Sequence, residues 1–358
     1  MKLRSPLHLT ALALASPLLL SAQYSVLDLP RVSQHATVVQ RIGTTDLTVD
    51  YSRPSVKGRT IWGDLVPYDK VWRAGANENT TFTTTSDIQV ESQALPAGTY
   101  GLHMIPTAGK WTVIFSKDHT AWGSFFYKEA MDQLRVTVTP QPTQASEQLT
   151  YLFNDVTADS ATLVLRWAEL EVPIKLSVDV HSVVLAGMGD QLRGLSAFGW
   201  EAWYEAAKYA DQEQIAPDQA MKWVDMSIAR GPNFENQTLK AKLMDEQGKK
   251  EEAKALRTAM LDEASNAQLN TYAYTLLNQG KTAEAVKVFE MNAKKHPDDP
   301  NVYDSLGEGY MINGQKDAAI KSFKKSLGMH PPDGVRANSI KCLKRMGVDT
   351  SKYEQARG

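Results

Sequence analysis

Between Tyr51 and Phe82 the chain concentrates side chains that recognise ligands: YSRPSVKGRTIWGDLVPYDKVWRAGANENTTF. Arg53, Arg59 and Arg73 are planar, always-charged forks that match carboxylate, phosphate or sulfate groups. Trp62, Tyr68 and Trp72 offer the apolar platform that sugars and peptides require. Asn77 and Glu78 would complete a polar pocket, and His103, two residues past Gly101, would face it. Pro54, Gly58, Gly63, Pro67 and Gly75 interrupt any strand here, so the stretch reads as one long connection. Long connections with their own aromatic and charged groups are more often binding loops than slack chain. The competing reading has the tryptophans plugging the end of a sheet and Arg73 paired with Glu78 as a structural ion pair.

Catalysis asks for more. Asp64, Asp69 and Glu78 would supply two carboxylates for an envelope hydrolase acting on glycan or peptide, but three acids in a loop are a weak signal. His35, His103, His119 and His181 are scattered, without HExxH spacing, so neither a dedicated metal site nor any cofactor is expected. Gly187-Met188-Gly189 with Gly194 lacks the dinucleotide-binding spacing, and Gly194 to Gly199 is one residue too long for a nucleophile elbow. No catalytic residue is assigned. Asn79-Thr80-Thr81 fits a glycosylation acceptor and is read as chance.

The elements that must position the loop have a period of two. Val172, Ile174, Leu176, Val178 and Val180 alternate with Pro173, Lys175, Ser177 and Asp179; Leu163, Leu165 and Trp167 alternate with Thr162, Val164 and Arg166. Similar runs are 37–42, 47–51, 87–91, 99–105, 111–116, 134–139 and 149–156. Each makes a sheet apolar on one face and wet on the other, and two such sheets bury both apolar faces. An antiparallel β-sandwich of nine or ten strands is therefore expected, with a closed barrel as the alternative. Trp122 to Asp132 breaks the alternation and reads as a short helix or ordered loop across one sandwich end; 140–146 reads as a polar connector.

Tyr51-Ser52-Arg53-Pro54, Lys57-Gly58-Arg59, Ile61-Trp62-Gly63, Leu65-Val66-Pro67-Tyr68, Val71 to Glu78 and Leu95 to Tyr100 together resemble an exported bacterial domain. It is common in Bacteroidetes-type organisms and known as domain of unknown function 2911. The resemblance spans about residues 26–180 and implies export and domain limits, but no activity.

After His181 the period becomes helical. Gly280, Ala285, Phe289 and Pro297 recur as Gly314, Ala319, Phe323 and Pro331, each 34 residues on, and Tyr303, Leu306, Gly307 and Tyr310 fill the helix before the second set. This resembles the tetratricopeptide repeat, an α-solenoid whose stacked helix pairs leave a concave groove for a peptide or partner protein. Small Gly307 and Ala319 are expected where paired helices cross, with Phe323 filling the space between neighbouring units. Earlier copies are degenerate: Gly248, Ala253 and Arg257 imply a unit two residues shorter, and Trp200 to Pro232 another. About four helix pairs are expected, closed by a terminal helix.

Lys2 and Arg4 precede an apolar run to Leu20 that is too short to span a bilayer and ends in Ser21-Ala22, a signal-peptide pattern cleaved after Ala22. No Cys follows it, so a lipid anchor at that site is not expected, and the single Cys342 allows no intrachain disulfide. A formal charge of −2 offers no nucleic-acid surface. The expected organisation is signal peptide 1–22, β-sandwich 23–180, linker helix 181–195, helical repeats with capping helix 196–346 and tail 347–358. The expected protein is a periplasmic or secreted scaffold without a transmembrane segment after signal removal. It would dock a protein or peptide on the repeats, with a small-molecule or glycan ligand possible on the β-domain.

Overall fold

The computed structural model describes residues 30–354, so the signal-peptide reading and the last four residues lie outside the described residues. The chain divides into two compact units at Val184/Leu185.

The first unit is all antiparallel β. Its strands are β1 (Gln34–Ile42), β2 (Thr45–Arg53), β3 (Thr81–Thr84), β4 (Ile88–Val90), β5 (Gln93–Leu95), β6 (Gly98–Ile105), β7 (Trp111–Ser116), β8 (Asp132–Val138), β9 (Gln141–Asn154) and β10 (Ser160–Ser177). They form a six-stranded sheet in the order β1-β2-β3-β6-β7-β8 and a four-stranded sheet in the order β5-β4-β10-β9. One apolar cluster draws Leu47, Val49, Phe82, Leu102, Met104, Val113 and Phe115 from the first sheet and Val90, Leu149, Leu163, Leu165, Ile174 and Leu176 from the second. Alternating residues of both sheets thus share one core, the arrangement of a sandwich and not of a closed barrel.

Two local expectations change. Residues 141–146 are not a connector but the first half of β9, which pairs with β10 through register shifts at Ala168. The two alternating runs after Ser160 are one 18-residue strand, bent at that irregularity, where Ala168 has φ of 50°.

The second unit is helical: α1 (Val180–Gln191), which the unit boundary crosses, is followed by α2 (Glu201–Gln212), α3 (Pro217–Arg230), α4 (Phe234–Glu246), α5 (Lys250–Glu263), α6 (Asn266–Asn278), α7 (Thr282–Lys295), α8 (Pro300–Ile312), α9 (Lys316–Gly328), α10 (Asp333–Arg345) and α11 (Ser351–Glu354). α2 to α9 pack as four successive pairs. The first helix of each repeat ends in the same turn. Gly248, Gly280, Gly314 and Gly347 all have φ between 76° and 79°. In each, the next residue donates back to the carbonyl five residues earlier: Lys249 to Met244, Lys281 to Leu276, Gln315 to Tyr310 and Val348 to Leu343, at 2.8 to 3.0 Å. This 6→1 closure needs a left-handed residue, which glycine adopts without strain. α10 ends in the same turn as α4, α6 and α8, so it repeats their pattern as well as closing the stack.

The α2 copy carries Gln214 at that position, with φ of 56°, and Ile215 donates to Ala210 at 2.9 Å. Gln214→Gly is expected to raise stability by about 1 kcal/mol, because the left-handed cost of a side chain disappears. Thermal or urea unfolding of the two proteins checks this; a less stable variant would contradict it.

Packing follows the small residues. A Cβ on Gly307 would lie 2.8 Å from the Phe323 ring, and one on Gly309 2.7 Å from the Phe289 ring. Phe323 therefore packs into its own pair, against Gly307, as well as among Leu327, Cys342 and Leu343 towards the next helix.

Candidate functional site

The 54–80 loop is anchored before it offers anything to solvent. Trp72 and Met104 exchange two backbone hydrogen bonds of 2.8 Å, fastening the loop to the end of β6. Trp62 makes edge contacts with Trp111 at 4.8 Å, Trp72 at 5.7 Å and Trp167 at 5.7 Å, while Trp72 and Trp167 stack at 6.0 Å. Trp111 is on β7 and Trp167 on β10, so the Trp62 ring is wedged between the two sheets. The carbonyl of Ala74 accepts from Tyr151 Oη at 2.8 Å and Thr80 Oγ1 at 3.2 Å. Lys57, Asp69, Ala74 and Asn77 all have φ between 49° and 59°. Four left-handed side-chain-bearing residues in one loop persist only because these anchors over-determine its backbone.

The nine sequence-selected residues do not converge. Arg59, Trp72 and Arg73 line one hollow of about 330 Å³, together with Trp167 and the loop backbone at Gly75 and Ala76. Arg53 instead ties β2 to β9, donating to Leu149 O at 3.0 Å and Thr150 Oγ1 at 2.7 Å. Arg59 is bound to its own loop through Val56 O and Ser55 O. Tyr68 is partly exposed and lies against Gly63, where a Cβ would meet its ring at 2.8 Å. Trp62 is packed on the core rather than offered as a platform.

Arg73 and Glu78 are not an ion pair. Arg73 Nη1 donates to Asn77 O at 2.6 Å, and its guanidinium lies 5.9 Å from the Phe125 ring. Partial burial lowers its pKa, with Glu78 opposing that through space. Glu78 pairs with Arg31, whose hydrogen bond holds the carboxyl below its usual range. Asn77 donates to Ser33 O at 3.0 Å. Glu78 lines a different cavity, of about 630 Å³, with Arg31, His35, Asp50, Ser52 and Asn79.

His103 faces away from the core, since its neighbours Leu102 and Met104 belong to it. It is 2% exposed because the 117–131 segment lies over this outer face of the sheet, not across a sandwich end. Its Nδ1 shares a 2.9 Å hydrogen bond with Ser124 Oγ, and its ring meets Tyr127 at 5.3 Å. Burial lowers its pKa to about 4. Tyr127 donates to Asp132 at 2.6 Å, and burial with that carboxylate pushes the phenol well up. The same segment exposes Trp122, Phe125 and Phe126. Gly101 makes room beneath it: a Cβ there would lie 2.5 Å from Asp118 O. Gly101→Ala is expected to cost about 1–3 kcal/mol from overpacking against backbone, measured by urea unfolding. A cost below 0.5 kcal/mol would show that the segment yields freely.

Sequence reasoning missed Asn79, Arg31 and Ser124. Asn79 was visible only as part of a glycosylation pattern; its burial against the outer sheet face has no local signal.

On the helical unit, α2, α4 and α6 line a groove of about 750 Å³. Tyr204, Phe234 and Tyr272 give it rings, and Thr238, Gln268 and Thr271 give it neutral donors and acceptors. Phe234 and Tyr272 meet edge-on at 5.8 Å. Lys242 grips both oxygens of Asp211 at 2.7 Å, so these charges offset each other within the groove wall. Along the array, Asn338 donates to Asp304 at 2.8 Å and Glu308 at 2.7 Å, and Tyr274 donates to Glu308 at 2.5 Å. Among the described residues no helix is long and apolar enough to cross a membrane.

These features define a two-unit protein, an antiparallel β-sandwich followed by a tetratricopeptide-type α-solenoid. Residues 33–176 match the model of the family described as Protein of unknown function (DUF2911). The chain therefore carries a DUF2911 domain followed by a tetratricopeptide-repeat region. No curated protein matches the chain. Among solved structures, YrrB, described as a TPR protein with an unusual peptide-binding site, is 16% identical over 46% of this chain and 83% of its own, with a TM-score of 0.28. MamA from Desulfovibrio magneticus RS-1 is 15% identical over 41% of this chain and 85% of its own, with a TM-score of 0.27. A tetratricopeptide repeat protein from Parabacteroides merdae is 18% identical over 41% of this chain and 60% of its own, with a TM-score of 0.28. The repeat assignment stands on the 34-residue period and the recurring turns of this chain.

Proposed function

We propose that this is an exported scaffold protein whose repeat groove holds an extended segment of a partner protein. The carrying observation is the groove built by the first helices α2, α4 and α6, with three aromatic rings beside neutral hydrogen-bonding side chains. An extended peptide presents alternating side chains and unpaired backbone amides. Rings of this kind supply apolar contact, and Gln and Thr side chains satisfy backbone groups. The pairing of Lys242 with Asp211 leaves little net field in this part of the groove, which favours an uncharged segment over a strongly acidic or basic one. The over-determined 54–80 loop and its Arg59–Trp72–Arg73 hollow form a second recognition element on the β-unit, suited to a small anionic group.

The test is selection of displayed peptides against the whole mature chain, followed by affinity measurement with Thr271→Arg. Thr271 is exposed in the groove, so the variant should keep its melting temperature and bind selected peptides at least ten-fold more weakly. Undiminished affinity in that variant would remove the groove from the function.

A further inference from the structure

Resting on the peptide-docking role given above to the α2–α4–α6 groove, we infer that its occupant is a proline-rich segment in the extended polyproline II conformation. Tyr204 and Tyr272 are both partly exposed in the groove, and among the described residues neither phenol has a hydrogen-bond partner. Each therefore offers an apolar ring and a free O–H donor on one side chain. Gln268 adds a third donor. Its Oε1 is taken by the backbone N–H and the hydroxyl of Ser265, each at 3.0 Å, which leaves Nε2 as the unspent end of the amide. Prolines lack an N–H, and a polyproline II chain makes no internal hydrogen bonds, so it presents carbonyl acceptors with few donors to satisfy. That is the complement of rings edged with donors.

The placement of the rings agrees with this. Phe234 and Tyr272 stand at 84° with centroids 5.8 Å apart, making an L-shaped notch in which a pyrrolidine ring lies on one face and against the other edge. α2, which carries Tyr204, packs against α4, and packed helices stand about 8–10 Å apart. A polyproline II helix advances about 9 Å per three-residue turn, so prolines three positions apart meet Tyr204 and the Phe234–Tyr272 notch in turn. The four charged side chains of the groove wall, Lys208, Lys242, Asp211 and Glu235, sum to zero, so nothing there asks for a charged residue between the prolines. A segment already extended in the free state also loses less entropy on docking than a flexible one.

Fluorescence anisotropy of labelled decaproline, and of a Gly-Ser peptide of equal length, with the whole mature chain tests this. Decaproline should bind saturably and at least ten-fold more tightly than the Gly-Ser peptide. Tyr272→Phe keeps the ring and removes only the phenolic donor; it should keep its melting temperature and weaken decaproline binding at least three-fold. Thr271→Arg should weaken it at least ten-fold, which puts the peptide in the groove. Decaproline bound no more tightly than the Gly-Ser peptide, or bound equally well by either variant, would overturn the inference. Selected peptides that lack proline yet lose affinity in Thr271→Arg, with decaproline unbound, would overturn it and leave peptide docking standing. Selected peptides indifferent to Thr271→Arg would sink both.

Discussion

Trp167→Ala is expected to lower the unfolding free energy of the β-unit by about 3–5 kcal/mol, the range for truncating a fully buried large aromatic side chain. Trp167 is 1% exposed and touches two tryptophans of the 54–80 loop, stacking on Trp72 and meeting Trp62 edge-on. Truncation leaves a cavity between the sheets and also removes the surface on which the loop is laid. Because the loop holds four left-handed residues in place only through such anchors, its collapse into the cavity is resisted, which keeps the cost high. Urea unfolding followed by far-UV circular dichroism measures the loss. Trp122→Ala is the internal comparison: Trp122 is half exposed and should change stability by less than about 0.5 kcal/mol. Equal effects from the two would mean that the tryptophan cluster is not the core of the loop's attachment.

The second large effect is on pH. His103 has its folded-state pKa lowered to about 4 by burial, against an ordinary value of 6.5. From pH 6.5 down to about 4 the unfolded chain therefore binds a proton that the native chain does not, and acid favours unfolding. The separation of about 2.5 pH units corresponds to about 3 kcal/mol of stability, present above pH 6.5 and lost by pH 4. Asp118 acts in the opposite direction but is outweighed by burial. His103→Gln keeps a hydrogen-bonding group near Ser124 and cannot titrate. Its stability should fall less steeply between pH 7 and 4.5 than that of the parent chain, by up to about 3 kcal/mol over the full range. Parallel curves for the two proteins would show that His103 is protonated in the native state or released from its cover.

The pH effect has a structural reading as well. The group that covers His103 is the 117–131 segment, through Ser124 and Tyr127. Protonation would place a charge under that cover, so the segment bearing Trp122, Phe125 and Phe126 is coupled to acid through His103.

Much of the architecture was legible in the residues. Strict alternation from Val172 to Leu176 admits one reading, because a one-residue slip would put Val172, Ile174 and Leu176 in water, although the strand ends at Ser177 and Val180 already opens α1. The 34-residue recurrence of Gly280, Ala285, Phe289 and Pro297 is equally local, since each residue answers a requirement of its own helix or turn. The repeat signal weakened, without hiding the copies, where a residue did the same work with another side chain. Gln214 occupies the glycine position of the first repeat, and Arg257 occupies an apolar position by bonding to Asp245 at 2.6 Å. Short strands also escaped: β3 and β5 have too few residues to show a period.

The candidate site was less legible for a different reason. The types Arg, Trp, Asn and Glu mark the 54–80 loop as a carrier of specific contacts, and periodicity specifies the solenoid and the one-sided sheets, while the choice of sandwich over barrel came from the two sheets sharing one core. Whether those contacts face a ligand or the protein itself depends on what stands opposite, and nothing within the loop encodes that. Leu149 and Thr150 took Arg53, the tryptophans of β7 and β10 took Trp62, and Arg31 took Glu78. Asn79, unremarkable in the sequence, was left facing Gly101 and His103 because pairing of β3 with β6 brings together residues more than twenty positions apart. Backbone periodicity is a property of neighbours along the chain; the fate of a polar side chain is decided by neighbours across it.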